Sequence, residues 1–328
     1  MQYETIKNSK FEINLSKIIQ GSVNFGTSLN ETQINEILNC YYLNGGNCID
    51  TARCYSEWIV DGEGASERAV GKWLETEGKN KDIYVATKGG IIYEDGTFKA
   101  NLDKDVLYTQ LSRSLELLRR NCVDIYWLHR DDTKKDVSDI VEICNDFIEK
   151  GLTKFVGVSN WTTDRIEKAN TYARKNNLHS FFASQIDWSV AKSKQQVLND
   201  DNMLGMTEES YKYYYKNNMP VFAFASQANG FYTKIDKYGI DNLSDKILRK
   251  YGSQENICKY DKIKLLAEKH KQDINTVVLS YVFSQKLPAF SIISSSNLEQ
   301  CRQSMSGCDF VLTQEEIDFL DNPTNENL

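Results

Sequence analysis

The feature that most narrows the folds open to this chain is an alternation: short apolar runs of strand length and longer segments of helical period follow one another through nearly all of its 328 residues. Strands are expected over 17–21, 47–50, 83–87, 122–128, 153–158, 182–187, 220–225 and 290–293. Helices are expected over about 64–77, 103–119, 137–150, 163–176, 207–217, 260–271 and 274–285. An earlier helix opens at Asn30-Glu31-Thr32-Gln33, a capping-box sequence, and carries Ile34, Ile37, Leu38 and Tyr41 on one face until Gly45-Gly46 ends it. Alternating strands and helices imply a parallel sheet. Eight such units without a change of character favour a closed (β/α)8 TIM barrel over an open doubly wound sheet. No Gly-x-Gly-x-x-Gly occurs, so an open dinucleotide-binding sheet would lack its phosphate turn.

Around that repeat, residues 3–15 predict a β-hairpin that lids the barrel bottom, and Thr313-Gln314-Glu315-Glu316 caps a C-terminal helix before a polar, fraying Asn-Pro-Thr-Asn-Glu-Asn tail. Barrels of this kind reach this size undivided, so residues 1–328 are read as one domain. The excursion over 226–259 is longer than the other connections and is read as a loop able to close over a ligand.

Chemistry in such barrels gathers where strands end. The run Asn47-Cys48-Ile49 ends in Asp50 and Tyr55 follows five residues later; Lys88 closes the next strand and His129 follows Leu128. Ser159-Asn160, Gln185 and Phe224 hold the corresponding places further on. A net charge of −7 argues against nucleic acid or an anionic membrane surface as partner, which leaves a small molecule. The N-terminus has no basic segment followed by an apolar one, and no run approaches the ~18 apolar residues a membrane span needs, so a cytoplasmic protein is expected. Eight cysteines without a Cys-x-x-Cys pair, and three histidines without zinc-like spacing, read as reduced thiols and no metal site. The cluster Tyr211-x-Tyr213-Tyr214-Tyr215 reads as helix packing. The sequence leaves the oligomeric state open.

Taken in order, Asp50-Thr51-Ala52-x-x-Tyr55, Lys88, Leu128-His129 and Gly157-Val158-Ser159-Asn160 resemble the aldo-keto reductase superfamily, and the resemblance spans nearly the whole chain. Gly62-Glu63-Gly64-Ala65-Ser66-Glu67-Arg68 and Leu128-His129-Arg130-Asp131-Asp132 look like its bacterial and fungal members. The resemblance implies a barrel that binds NAD(P)(H) across the strand ends and acts on a small carbonyl or alcohol. It assigns catalysis to Asp50, Tyr55, Lys88 and His129, and the cofactor to Gly21, Ser22, Asp50, Ser159, Asn160, Gln185, Phe224, Ser294, Ser296 and Gln300. Substrate contacts fall to Tyr55 and His129, with Trp58, Trp161 and Trp188 in strand-end loops as candidate pocket walls, Trp58 and Trp161 foremost.

The chemistry agrees with this assignment. Protonating a developing alkoxide takes an acid, and a phenol of pKa about 10 is a poor one. An ammonium ~4 Å away contributes roughly 4 kcal/mol to the phenolate at an effective dielectric of about 20, so Lys88 is expected to bring Tyr55 down toward working range while Asp50 keeps Lys88 charged. His129 would polarise the carbonyl. Cys54, directly before Tyr55, reads as a small space-filler. Superfamily members that prefer NADP(H) carry Lys or Arg after the last strand, whereas Ser294-Ser295-Ser296-Asn297-Leu298-Glu299-Gln300 has none before Arg302; NAD(H) is therefore expected to serve at least as well as NADP(H). Two other readings remain: a cofactor-binding regulatory or sensor protein of the same fold with little turnover, and a glycosidase built on Asp50, Asp131 and Asp132.

Overall fold

A computed structural model describes residues 1–194 and 203–322. Strands β1 (Tyr3–Lys7) and β2 (Glu12–Ser16) form an antiparallel hairpin. β3 (Ile18–Gly21), α1 (Glu31–Leu43), β4 (Cys48–Asp50), α2 (Ala65–Thr76) and β5 (Tyr84–Gly89) open the repeat. A second antiparallel hairpin, β6 (Ile91–Glu94) and β7 (Thr97–Ala100), precedes α3 (Lys104–Leu117). The repeat resumes with β8 (Val123–Leu128), α4 (Val137–Glu149), β9 (Thr153–Ser159), α5 (Thr163–Lys175), β10 (Ser184–Asp187), α6 (Glu208–Lys216) and β11 (Val221–Phe224). Helices α7 (Phe231–Tyr238), α8 (Asp245–Tyr251), α9 (Gln254–His270) and α10 (Ile274–Phe283) lead to β12 (Ala289–Ile293), α11 (Leu298–Ser306) and α12 (Gln314–Asp321). β3, β4, β5, β8, β9, β10, β11 and β12 close into one parallel barrel in which chain neighbours are also spatial neighbours. The fold expected from the alternation, with its N-terminal hairpin and C-terminal helix, is the one observed.

Two apolar layers explain why the strands read as continuous runs rather than as alternating ones. Inside the barrel, Ile19, Cys48, Ala86, Ile125, Trp127, Phe155, Phe222 and Phe290 pack with Ile6, Ile13 and Leu15 of the hairpin, which thereby plugs the N-terminal end. Between barrel and helices, Ile18, Ile49, Val85, Tyr126, Val156 and Val221 meet Ile37, Leu38, Val70, Leu111, Phe147 and Val278. The interior is filled mainly by rings, with Phe222 stacked on Phe290 at 4.4 Å and Trp127 edge-on to Phe222 at 4.9 Å. Gly157 makes room for this: a Cβ there would lie 2.3 Å from the Trp127 ring.

The capping boxes at Asn30/Gln33 and Thr313/Glu316 are both formed. One expectation needs correction, one element is new, and one reading falls outside the described residues. The hairpin β6–β7 was not foreseen. The stretch 226–259 is not a loop free to close, because Phe231, Tyr232 and Tyr251 anchor α7 and α8 in the core, and α9 begins six residues before the expected 260. The terminal tail falls, apart from Asn322, outside the described residues. Among the described residues, no helix is long and apolar enough to cross a membrane.

Candidate active site

Parallel strands in one closed sheet all end on the same rim, and there the polar strand-end residues converge. Asp50 ends β4, Lys88 lies in β5, His129 follows β8, Ser159 ends β9, Gln185 lies in β10 and Phe224 ends β11. A cavity of about 280 Å³ is lined by Gly21, Ser22, Asp50, Tyr55, His129, Ser159, Asn160, Gln185, Phe224 and Ser294, all expected in the site. Val23, Arg130, Met203, Ala225, Ile292 and Ile293 line it too and were not foreseen. Five of these six are apolar; four flag themselves only by sitting at or beside a strand end, and Met203, in the connection between β10 and α6, not even by that. Arg130, directly after His129, carried the clearer signal of a cation next to a candidate site residue. A more open depression of about 420 Å³, lined by Lys194, Asp245, Leu248 and Arg249, shares none of these residues.

Lys88, 1% exposed, is the hub. Its ammonium donates to a carboxylate oxygen of Asp50, to the Thr51 carbonyl at 2.8 Å and to the Tyr55 hydroxyl at 2.9 Å, which uses all three of its protons. The second Asp50 oxygen accepts from Gln185 Nε2 at 3.0 Å, so the carboxylate is held from two sides. Register fixes the approach: Gly21 pairs with Asp50, Asp50 with Ala86 and Lys88 with Trp127. Tyr55 reaches back over Lys88 because residues 51–55 stay tied to β5, Thr51 N–H donating to Ala86 and Arg53 N–H to Lys88. The Tyr55 and His129 rings meet edge-on at 6.0 Å. His129 Nδ1 lies 3.3 Å from the sulfur of Cys54, a contact the space-filler reading of Cys54 did not include.

Burial and charge compete at these groups. Burial, with Lys88 and Arg130 adding to it, holds His129 well below the ordinary histidine range, so its imidazole is neutral. For Lys88, burial favours loss of the proton, but Asp50 and Tyr55 outweigh it and raise the ammonium above its usual value. For Tyr55 the expectation of a lowered phenol is not met. Burial pushes the hydroxyl up, Lys88 pulls it down without cancelling that push, and Asp50 adds to the rise. At neutral pH this site holds a protonated tyrosine beside a charged lysine, a proton donor with its counter-charge already in place.

On the opposite wall, Ser159 Oγ donates to the Gln185 carbonyl, and the Asn160 amide donates to Ser159 Oγ at 3.0 Å while its oxygen accepts from Leu204 N–H at 3.0 Å. Asn160 and Gln185 each keep an amide proton for a ligand. With the Phe224 ring in the same cavity, this donor set suits a flat ring bearing a carboxamide. Ser296 and Gln300 lie outside the cavity at the start of α11, exposed, with Ser296 N–H donating to Gln300 Oε1 at 2.8 Å. Trp161 is corrected: it is buried against Phe181 at 5.5 Å and under Arg165, and lines no part of the cavity. The left-handed turn at Asn160, φ 59°, precedes it and redirects the chain. Trp188 is likewise buried, edge-on to Tyr211. Trp58 is exposed and outside the cavity, packed edge-on to Phe98 of the second hairpin at 6.0 Å.

Comparisons with known proteins converge on one family. A sequence model of the Aldo/keto reductase family matches residues 17–323. An aryl-alcohol dehydrogenase of Pestalotiopsis microspora is 24% identical over 86% of this chain and 70% of its own length. A norsolorinic acid reductase of Aspergillus flavus is 22% identical over 98% of this chain and 80% of its own. A thermostable aldo-keto reductase crystallised with the inhibitor epalrestat superimposes with a TM-score of 0.72 at 18% identity, covering 98% of this chain and 99% of that one.

Proposed function

The chain belongs to the aldo/keto reductase family and is a carbonyl–alcohol oxidoreductase; from that premise we propose that it depends on NAD(P)(H) and uses Tyr55 as its general acid and base. The observation that carries this reading is the single ammonium of Lys88 joined at once to Asp50 and to the Tyr55 hydroxyl, on the cavity rim beside a neutral His129.

A bound nicotinamide supplies the hydride for reduction and accepts it in oxidation. The chain's own groups do the rest. Tyr55 gives its proton to the carbonyl oxygen as negative charge develops there, and takes it back in the reverse direction. Lys88, 2.9 Å from that hydroxyl, stabilises the phenolate left behind by roughly 6 kcal/mol at an effective dielectric of about 20, which burial opposes. Asp50 keeps Lys88 charged and aimed, and Gln185 holds Asp50. His129 donates a hydrogen bond to the same oxygen and, being neutral, does not repel Lys88. Ser159, Asn160 and Gln185 would hold the carboxamide of the nicotinamide and Phe224 would give its ring an aromatic face. At about 280 Å³ the cavity is smaller than a whole dinucleotide; Gly21, Ser22 and Ser294 of its lining, with Ser296 and Gln300 outside it, would hold the rest of the cofactor.

The names of the relatives support an aromatic aldehyde or ketone as substrate. Outside the cavity, three residues beyond Tyr55 in the chain, Trp58 joins Phe98 and Tyr93 in an exposed aromatic group, Tyr93 and Phe98 4.8 Å apart. We assign Trp58 to the outer part of the substrate site. NAD(H) serves at least as well as NADP(H): Ser294, Ser296 and Gln300 bring no cation, the Ser296 and Gln300 N–H groups are taken by Gln300 Oε1 and Asn297 Oδ1, and Glu299 stands exposed beside them. The free state of all eight cysteines supports a reducing, cytoplasmic location.

A hydrolase would need two carboxylates free of cationic partners. Asp50 is bound to Lys88, and Asp131 accepts from Arg165 Nε at 3.2 Å. Nicotinamide fluorescence on mixing with the protein, followed by turnover of an aromatic aldehyde, tests the reading. Binding with turnover is expected. Binding without turnover of any aldehyde, ketone or sugar would leave a sensor, and no binding would overturn both.

A further inference from the structure

Cys54 and His129 hang from the last residues of β5 on either side: Arg53 N–H donates to the Lys88 carbonyl at 3.0 Å and His129 N–H to the Gly89 carbonyl at 2.8 Å. That suspension brings the Cys54 sulfur to 3.3 Å from His129 Nδ1. The thiol is 5% exposed, packed with Ala52, Ile91 and the Tyr55 ring, and is absent from the cavity lining to which His129 belongs.

We infer that Cys54 is a positioning residue: its thiol proton occupies Nδ1 of His129 and so fixes the imidazole as the Nε2–H tautomer, with that N–H left to serve the cavity. A neutral imidazole carries one donor and one acceptor, and whichever nitrogen is engaged decides the role of the other. If Nδ1 carried the proton, Nε2 would present a lone pair to the cavity and repel a carbonyl oxygen. A thiolate–imidazolium pair is disfavoured from both sides. Burial pushes the Cys54 thiol up to about 12, with Glu57 adding to the rise, and burial holds His129 well below its usual range. The pair is therefore a neutral thiol against a neutral imidazole, and of its two arrangements only S–H donating to Nδ1 leaves a proton on Nε2 for the cavity. A valine or alanine in place of Cys54 would fill space but supply no proton. The inference rests on the proposed role of His129, because a fixed Nε2–H matters to turnover only if that group meets the carbonyl.

Ring-nitrogen spectra of protein labelled with ¹⁵N-histidine report the tautomer directly in the resting protein. Only His129, His179 and His270 contribute, and His129 is identified by its loss in His129→Gln. The wild type is expected to show a pyridine-like Nδ1 and a pyrrole-like Nε2 at His129, and Cys54→Ser, whose hydroxyl can donate in the same direction, to keep that pattern. Cys54→Ala is expected to mix the two tautomers and to lower kcat about three- to tenfold with KM within about twofold. A protonated Nδ1 in the wild type would overturn the inference. So would an unchanged spectrum and unchanged kcat in Cys54→Ala. Full turnover in His129→Gln would instead remove the carbonyl role of His129, an outcome distinguishable from either because the wild-type tautomer is read without substrate.

Discussion

Two aspartate–lysine pairs with buried carboxylates lie at opposite ends of neighbouring strands, and only one of them belongs to the chemistry. At the strand ends, Asp50 and Lys88 are 4% and 1% exposed at their side chains, and the ammonium's remaining protons go to the Thr51 carbonyl and the Tyr55 hydroxyl. At the strand starts, Asp124 of β8 is 2% exposed and meets Lys154 at 2.7 Å, Arg120 at 3.7 Å and the Val85 N–H at 2.8 Å. Lys154 there remains 34% exposed. A buried carboxylate paired with a lysine is thus no mark of function by itself. The difference is the third partner: Asp124 spends its second oxygen on a backbone amide and ties β5 to β8, while Lys88 spends its last proton on a phenol that lines a cavity. One pair is cross-strand mortar. The other is wired to a group that exchanges protons.

The comparison breaks most sharply at the phenol. Tyr55→Phe keeps the ring and removes only the proton, so kcat should fall by about 10² to 10⁴ while nicotinamide affinity, read by fluorescence titration, stays nearly constant. Near-normal turnover would reduce the Asp50–Lys88 pair to the same structural role as the other. The next largest effect concerns coupling. Lys88→Met should slow turnover by leaving the phenolate without its counter-charge, and Asp50→Asn by loosening Lys88. The double variant should cost far less than the product of the two single losses, because both act through Tyr55. Losses in kcat that multiply cleanly would show that the three do not act as a unit.

Asp124→Asn is the control from the other end of the barrel. It leaves Arg120 and Lys154 without their counter-charge and turns an amide toward one of its former donors, which should cost about 1–3 kcal/mol of stability. Denaturant unfolding should show that loss, with kcat per folded molecule unchanged. A selective fall in kcat at full stability would place Asp124 in the catalytic network instead.

Much of this was legible in the sequence, for a physical reason. A barrel strand is buried on both faces, so each shows as an apolar run, and the run over 153–158 found β9 to within one residue. Where a run stops at a polar residue, the barrel rim has been reached, which is how Asp50, Lys88, His129 and Ser159 were found. Side-chain direction after the strand was not legible. Trp161 was expected in the pocket, but the positive φ at Asn160 turns it into the helix–sheet layer, and nothing in the residue order announces that turn. The hairpin β6–β7 escaped because Tyr93, Glu94, Thr97, Phe98 and Lys99 are exposed or nearly so and make no apolar run, although Asp95-Gly96 is a turn signal. The raised phenol of Tyr55 was missed because spacing shows the partner and not the burial. The contact of Cys54 with His129 depends on register across β5, which couples residues 75 apart.

The smallest expected effect supplies the solvent-exposed limit of the same comparison. Arg302 and Glu299 sit three residues apart on the first turns of α11, both exposed, where a charge pair in water contributes little on its own. Arg302 is the first cation after β12, and a 2′-phosphate arriving near Ser296 would give it a dianion to meet. The surrounding donors weaken that attraction, since the Ser296 and Gln300 N–H groups already have acceptors and Glu299 repels the phosphate. NADH and NADPH should therefore bind within about tenfold of each other, and Arg302→Ala should shift their ratio by no more than a few-fold, an effect that fades as salt screens it. Titrating both cofactors at several salt concentrations measures this. A preference for NADPH of about a hundredfold that weakens with salt and vanishes in Arg302→Ala would mean that this exposed cation, unlike most, is held in place for a ligand.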